Sequence, residues 1–211
     1  FWPGGRVEDE GAFGRRNRLR GDFRFNHALA SVFTPELFDE RPELFATRHG
    51  RQQRPRGSGG TDPQPHLASQ ATARHAADAV LAYFAENPDA ISFSLSINDN
   101  ILFDDTELTR ALVEPISYFR NKPNYTDLVF TFMNRVAHKV FDEGGAWETK
   151  TGQPRYLTAL AYYWAEQSPS FPVHPRVVPI LTADRAQWHD PVFRAEDMAL
   201  IERWVQSGAE L

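Results

Sequence analysis

Ile91-Ser92-Phe93-Ser94-Leu95-Ser96-Ile97-Asn98-Asp99-Asn100 is the stretch that decides the fold. Its first seven residues alternate large apolar and small polar side chains without a break, the period of a β-strand with two unlike faces. The serines suit a crowded interior such as that of a barrel, while Phe93, Leu95 and Ile97 suit a covering layer of helices. Asn98-Asp99-Asn100 then ends the strand with turn-forming residues.

Three further segments read as strands. Tyr156 to Trp164 is an apolar, aromatic-rich run of the kind buried on both faces, and Arg176 to Leu181 is a shorter candidate with Pro179 inside it. On the N-terminal side, Phe23-Arg24-Phe25-Asn26-His27-Ala28-Leu29 alternates apolar and polar residues. Helical signals fill the intervals. Thr34-Pro35-Glu36 is a capped helix start interrupted at Pro42, and Ser69 caps an amphipathic segment that stops at Asn87-Pro88. Helices are also predicted over Thr106 to Phe119, over Tyr125 to Phe141 before Gly144-Gly145, and over Ala195 to Val205 with Met198, Ile201 and Trp204 on one stripe.

Long helical crossovers between short buried strands imply a parallel sheet and an α/β fold. Four strand candidates cannot close an eight-stranded barrel, so a TIM-barrel-like (β/α)8 architecture would be present only as a partial barrel. The expected organisation is a single domain over 1–211 with a flexible, Gly/Pro-rich loop at about 48–65. The opening stretch to Gly21, with Trp2 and a basic cluster at Arg15, Arg16, Arg18 and Arg20, reads as a loop with a solvated charged face.

Composition narrows the function classes. Among 211 residues, 23 basic and 28 acidic side chains leave a net charge of −5, which offers no basic excess for neutralising phosphates. No nucleic-acid partner is expected, and no window approaches the ~18 consecutive apolar residues of a membrane span. The absence of cysteine removes disulfides, thiolate catalysis and cysteine-ligated zinc. The first residue is Phe1 and no basic-then-apolar leader precedes the fold, so any signal peptide is expected to have been removed or to lie outside this segment. An extracytoplasmic setting is a separate expectation.

In a parallel β/α arrangement, ligands meet the C-terminal ends of the strands. That rule selects Asn98 and Asp99 after the first quoted strand, Tyr162, Trp164 and Glu166 at the end of the second, and Asn26 and His27 on the N-terminal segment. Asp99 and Glu166 would be a pair of carboxylates facing one pocket, as glycosidic cleavage requires: one donates a proton, the other activates water or attacks carbon. Trp164 offers a flat face to a sugar; Asn26, His27, Asn98, Tyr162 and His174 offer directional hydrogen bonds. The same residues have plain structural readings, Asn-Asp-Asn as a turn or helix cap, Glu166 as surface and Tyr-Tyr-Trp as core. None of the seven histidines forms an H-x-x-x-H or H-x-H pair, so no metal site and no cofactor are expected. Gly57-Ser58-Gly59-Gly60 lacks the following Lys-Ser/Thr of a phosphate loop.

The order of these segments resembles the bacterial DUF4838 domain: Gly21-Asp22-Phe23 to His27, then Arg41-Pro42-Glu43-Leu44-Phe45-Ala46, then Ile97-Asn98-Asp99. Asn124-Tyr125-Thr126-Asp127, Asn134-Arg135-Val136-Ala137, Ala161-Tyr162, Trp188-His189 and Ile201-Glu202-Arg203-Trp204 continue the likeness through nearly the whole chain. The resemblance implies a TIM-barrel-like domain similar to family 67 glycoside hydrolases, within large, mostly secreted bacterial proteins, with a carbohydrate as partner and the remainder of a larger polypeptide beyond it. It carries over Asn98, Asp99 and Tyr162 as motif positions without assigned roles. Many members have a cysteine-rich stretch after Asn-Asp, where this chain reads Asn100-Ile101-Leu102-Phe103-Asp104-Asp105. The expectation is a glycoside hydrolase-like domain acting on a polysaccharide or oligosaccharide; the alternative is a non-catalytic carbohydrate-binding or structural domain.

Overall fold

The computed structural model describes residues 23–182 and 185–208; the expectations for Trp2 and the Arg15 to Arg20 cluster lie outside them. In chain order the helices are α1 (Leu29–Val32), α2 (Pro35–Glu40), α3 (Gln70–Glu86), α4 (Glu107–Val113), α5 (Thr126–Ala137) and α6 (Pro191–Gln206). The strands are β1 (Thr47–Arg48), β2 (Arg51–Gln52), β3 (Ser92–Ser94), β4 (Tyr118–Phe119), β5 (Lys122–Pro123), β6 (Tyr156–Ala161) and β7 (Val177–Leu181). Strands β3, β6 and β7 form one sheet in that order with every neighbour parallel, Ser94 opposite Thr158 and Thr158 opposite Val178. The fold is therefore α/β with a small parallel sheet, and the described residues do not close a barrel. No described helix is long and apolar enough to cross a membrane.

The two faces of the sheet divide as the alternation predicts. Leu95, Ile97, Leu157, Ala159, Ala161 and Val177 join one core cluster with Val80 and Phe84 of α3 and Phe130, Met133 and Val136 of α5. Helices α3 and α5 pack on each other, and α5 packs on β6 and β7. Pro179 is tolerated because β7 is the edge of the sheet, where a missing ladder donor costs least. The opposite face carries hydroxyls at Ser92, Ser94, Ser96 and Thr158, all buried.

The segment Phe23 to Leu29 is not a strand. It crosses the hydroxyl face instead of lying beside an edge, so its main chain bonds side chains. Arg24 donates its N–H to Ser92 Oγ at 2.9 Å, Ser94 Oγ donates to Asn26 O at 2.6 Å, and Thr158 Oγ1 donates to Arg24 O. The helix expected from Thr106 to Phe119 ends at Val113 because Pro115 excludes the helical conformation from Glu114, whose ψ is 139°. The β4–β5 hairpin takes the place of its second half. The stretch 48–65 holds the β1–β2 hairpin and a 3₁₀ turn at Gly59–Thr61. On α6 the buried positions are Asp197, Leu200 and Trp204, so the expected Trp204 is buried, while Asp197 and Leu200 take the places expected of the exposed Met198 and of Ile201.

Candidate functional site

The parallel strands bring their C-terminal ends to one side, and a cavity of about 700 Å³ opens there. Tyr162 follows β6, Thr182 follows β7, and both line it. The β4–β5 hairpin forms another wall. Its two central residues, Arg120 and Asn121, both have positive φ, 48° and 61°, the pattern of a tight two-residue turn that favours Asn-Gly. An arginine in that conformation is strained. The strain is offset by what its guanidinium reaches. Arg120 donates to Glu166 Oε1 at 2.6 Å and to Asp197 Oδ1 at 2.5 Å, and Phe193 lies 4.2 Å beneath it.

Glu166 is the C-cap of the short 3₁₀ segment Tyr163–Ala165 after β6, and its side chain is 13% exposed. Trp204, fully buried on α6, donates its indole N–H to the Glu166 carbonyl at 2.9 Å and fixes that backbone. Burial pushes the Glu166 carboxyl up, Arg120 pulls it back, and the neighbouring Asp197 pushes it up again; the net direction is upward. An ion pair at 2.6 Å would by itself lower it. One guanidinium is shared between the partly buried Glu166 and the fully enclosed Asp197, and Arg120 with Lys122 offsets the burial of Glu166 only in part. Asp197 receives a further bond from Trp188 Nε1 at 2.7 Å.

Asp99 is exposed and accepts a hydrogen bond at 2.5 Å from the hydroxyl of Tyr162, which itself lines the cavity. His27 Nε2 stands 3.3 Å from the same hydroxyl. Burial, then the bond to Asp99, push the Tyr162 phenol far above its ordinary range, so it remains a donor. The structure thus groups Asp99, Tyr162 and His27, and puts Tyr162 and Glu166 on one cavity.

The other expected residues lie elsewhere. Asn98 is buried and its amide donates to the carbonyls of Asp62 and Pro63, while Gln64 bonds both its N–H and its C=O. Asn98 therefore fastens the 59–65 loop to the strand end, and its Oδ1 has no partner. Asn26 is exposed over the hydroxyl face and lines a separate shallow depression. Trp164 packs against the core, and its carbonyl accepts from Tyr125 N–H at 2.7 Å. His174 is buried just before the start of β7, at the opposite end of the sheet from the cavity.

Arg120, Lys122, Tyr163 and Asp197 escape the sequence reading. Lys122 sits 4.7 Å over the Tyr163 ring, and Tyr163 itself has a φ of 49°, an unusual conformation for an aromatic residue. The one available signal was the aromatic pair Tyr118-Phe119 followed two residues later by Lys122-Pro123, a weak hairpin pattern without glycine.

A second cluster lies at the far end. His138, Asp142 and His174 bring potential ligand atoms within 4.8 Å of one another, which local histidine spacing could not reveal. A ligating histidine donates its other ring N–H to a carbonyl or carboxylate. Here Arg176 N–H donates to His174 Nδ1 at 3.0 Å, which leaves the proton on Nε2, facing Asp142 at 3.6 Å. That polarity fits a hydrogen-bonded acid–imidazole cluster and opposes metal ligation.

A family model described as a domain of unknown function, DUF4838, matches residues 8–207. No curated protein and no solved structure matches the chain.

Proposed function

The chain belongs to the DUF4838 family, and we propose that it forms part of a (β/α)8-type barrel whose strand-end cavity binds a carbohydrate and cleaves its glycosidic bonds. Glu166 would be the proton donor and Asp99 the second carboxylate. One observation carries this reading: Glu166 lies on a cavity at the C-terminal ends of parallel strands, and Tyr162 joins that cavity to Asp99. A general acid must hold a proton when substrate arrives, and burial of Glu166 displaces its carboxyl upward, in the direction that role needs. Tyr163 and Phe193 offer apolar faces to a sugar ring, and Thr182 offers a hydroxyl.

The test is hydrolysis of a panel of 4-nitrophenyl glycosides and plant polysaccharides, followed as nitrophenol and new reducing ends. Glu166→Gln and Asp99→Asn should each lower turnover by about 10²–10⁴-fold. Glu166→Gln should lose less on nitrophenyl substrates, whose leaving group needs little protonation. Activity should also fall as pH rises through the Glu166 titration. Unchanged turnover in both variants removes the carboxylates from the mechanism.

A second reading has its own support in the Arg120 bond that occupies the Glu166 carboxylate. A domain that only binds carbohydrate would show heat on titration with xylo- or cello-oligosaccharides and no product from any member of the panel.

A further inference from the structure

On the carbohydrate reading above, we infer that Tyr163 is the platform on which a sugar ring lies in the strand-end cavity, and that Lys122 covers it until a sugar displaces it. Tyr162 leaves β6 extended, with φ −154° and ψ 162°, and Tyr163 then turns the chain with a φ of 49°. Ala165 closes the turn by donating its N–H to the Tyr162 carbonyl at 3.0 Å. Glycine or asparagine takes that left-handed conformation readily, whereas a bulky residue is strained in it. Core packing does not account for a ring there. Tyr163 is 46% exposed, while Ala165 of the same turn is fully buried and Trp164 packs against the core. A strained backbone that presents an exposed ring points to a position kept for what the ring touches.

Tyr163 lines the cavity together with Lys122, Glu166 and Phe193. Tyr162 leans against its ring, with centroids 4.7 Å apart at 30°, and the Lys122 ammonium stands 4.7 Å from the ring centre. Among the described residues no carboxylate pairs with that ammonium, so the ring is its partner. The face of an aromatic ring is negative, which is why a cation settles on it. The C–H bonds on the flat side of a pyranose are weakly positive and meet the same attraction. A place that holds an ammonium therefore accepts a sugar ring, and the two cannot share it. Lys122 carries its charge on a flexible four-carbon stem, so the head swings off without moving β5. Glu166 lies three residues beyond Tyr163 in the same short segment. A ring laid on Tyr163 is thus held by the piece of backbone that carries the acid, which ties the position of the sugar to that of the proton donor.

The experiment titrates the chain with cello- and xylo-oligosaccharides by calorimetry and follows ¹³C-labelled lysine by NMR. Tyr163→Phe should bind as the unsubstituted chain does, because the ring and not the hydroxyl forms the platform. Tyr163→Leu and Tyr163→Ala should weaken binding by about tenfold or more. The Lys122 methylene protons next to nitrogen should be shielded by the ring in the free chain. They should return to ordinary lysine positions at saturating oligosaccharide, and in Tyr163→Leu without any sugar. Lys139 and Lys150 report that each variant is folded. Tyr163→Gly should unfold at higher urea than Tyr163→Ala, the reverse of the usual order, because only glycine relieves the left-handed turn. Binding that Tyr163→Leu leaves unchanged overturns the inference, and so does a Lys122 signal that oligosaccharide does not move while heat is released. An alanine variant more stable than the glycine variant removes the strain on which the platform role stands. No heat from the unsubstituted chain with any oligosaccharide sinks the carbohydrate reading and the platform with it, whereas heat independent of Tyr163 sinks the platform alone.

Discussion

Asp104 and Glu166 are both acids in the interior, and the protein treats them in opposite ways. Asp104, with a side chain 1% exposed, accepts the N–H groups of Thr47 at 2.7 Å and Thr106 at 2.9 Å, the Thr109 hydroxyl at 2.8 Å and the Thr106 hydroxyl. Burial pushes its carboxyl up, but those donors outweigh it and the net direction is downward. Glu166 has no such set of dedicated dipoles. It shares one guanidinium with Asp197 and ends above its ordinary range. Neutral donors aimed at Asp104 stabilise its charge against burial, whereas at Glu166 burial outweighs a cation that must be shared with Asp197. The first arrangement anchors the β1–β2 loop region to the start of α4; the second leaves a carboxyl displaced upward on the cavity wall.

The contrast breaks most severely at Arg120. Arg120→Met leaves Asp197, whose side chain is fully enclosed, and Glu166 without their cation. Such a loss should cost about 3–5 kcal/mol, read from urea unfolding at neutral pH. Next in size is Asp104→Ala, which strands two N–H groups and two hydroxyls; a loss of about 1–3 kcal/mol is expected in the same assay.

The smallest effect sharpens the comparison by its sign. A carboxyl lowered in the folded state contributes stability above the ordinary carboxylate range and loses it as pH falls through the folded value, which is the case of Asp104. A carboxyl raised in the folded state does the reverse, and its contribution is lost as pH rises through the folded value, which is the case of Glu166. As pH rises from below the ordinary carboxylate range to neutrality, Glu166→Gln should therefore gain on the unsubstituted protein, measured as the difference in urea midpoints. A difference independent of pH would mean that Arg120 compensates Glu166 completely.

The same contrast explains what could be read from the chain alone. Ile91 to Ile97 and Tyr156 to Trp164 were legible as parallel neighbours because alternation and apolar runs report local burial and helices between them set the direction, although the second strand stops at Ala161 before a 3₁₀ turn at Tyr163–Ala165. Asp99 and Tyr162 are legible for the same reason, since a strand end is a position in sequence. Asp197 was not legible. Its place on the buried stripe of α6 depends on an arginine 77 residues away, and an acid in a helix scans as surface. Arg120 was hidden for a related reason: it occupies a turn conformation that normally announces itself with glycine. The segment Phe23 to His27 alternates like a strand, but alternation cannot distinguish a chain beside a sheet from one lying across it.

That crossing has a consequence of its own. Ser92, Ser94 and Thr158 grip the carbonyls and N–H of Arg24 and Asn26, atoms common to every residue type except proline, which lacks the N–H. The sheet face therefore recognises an extended main chain and is indifferent to the letters written on it. Exchanges at positions 24 and 26 leave the fastening intact, whereas the three hydroxyl-bearing residues beneath are each used individually. His27, one step further along the same segment, is delivered to Tyr162 by a mooring that reads no side chain before it.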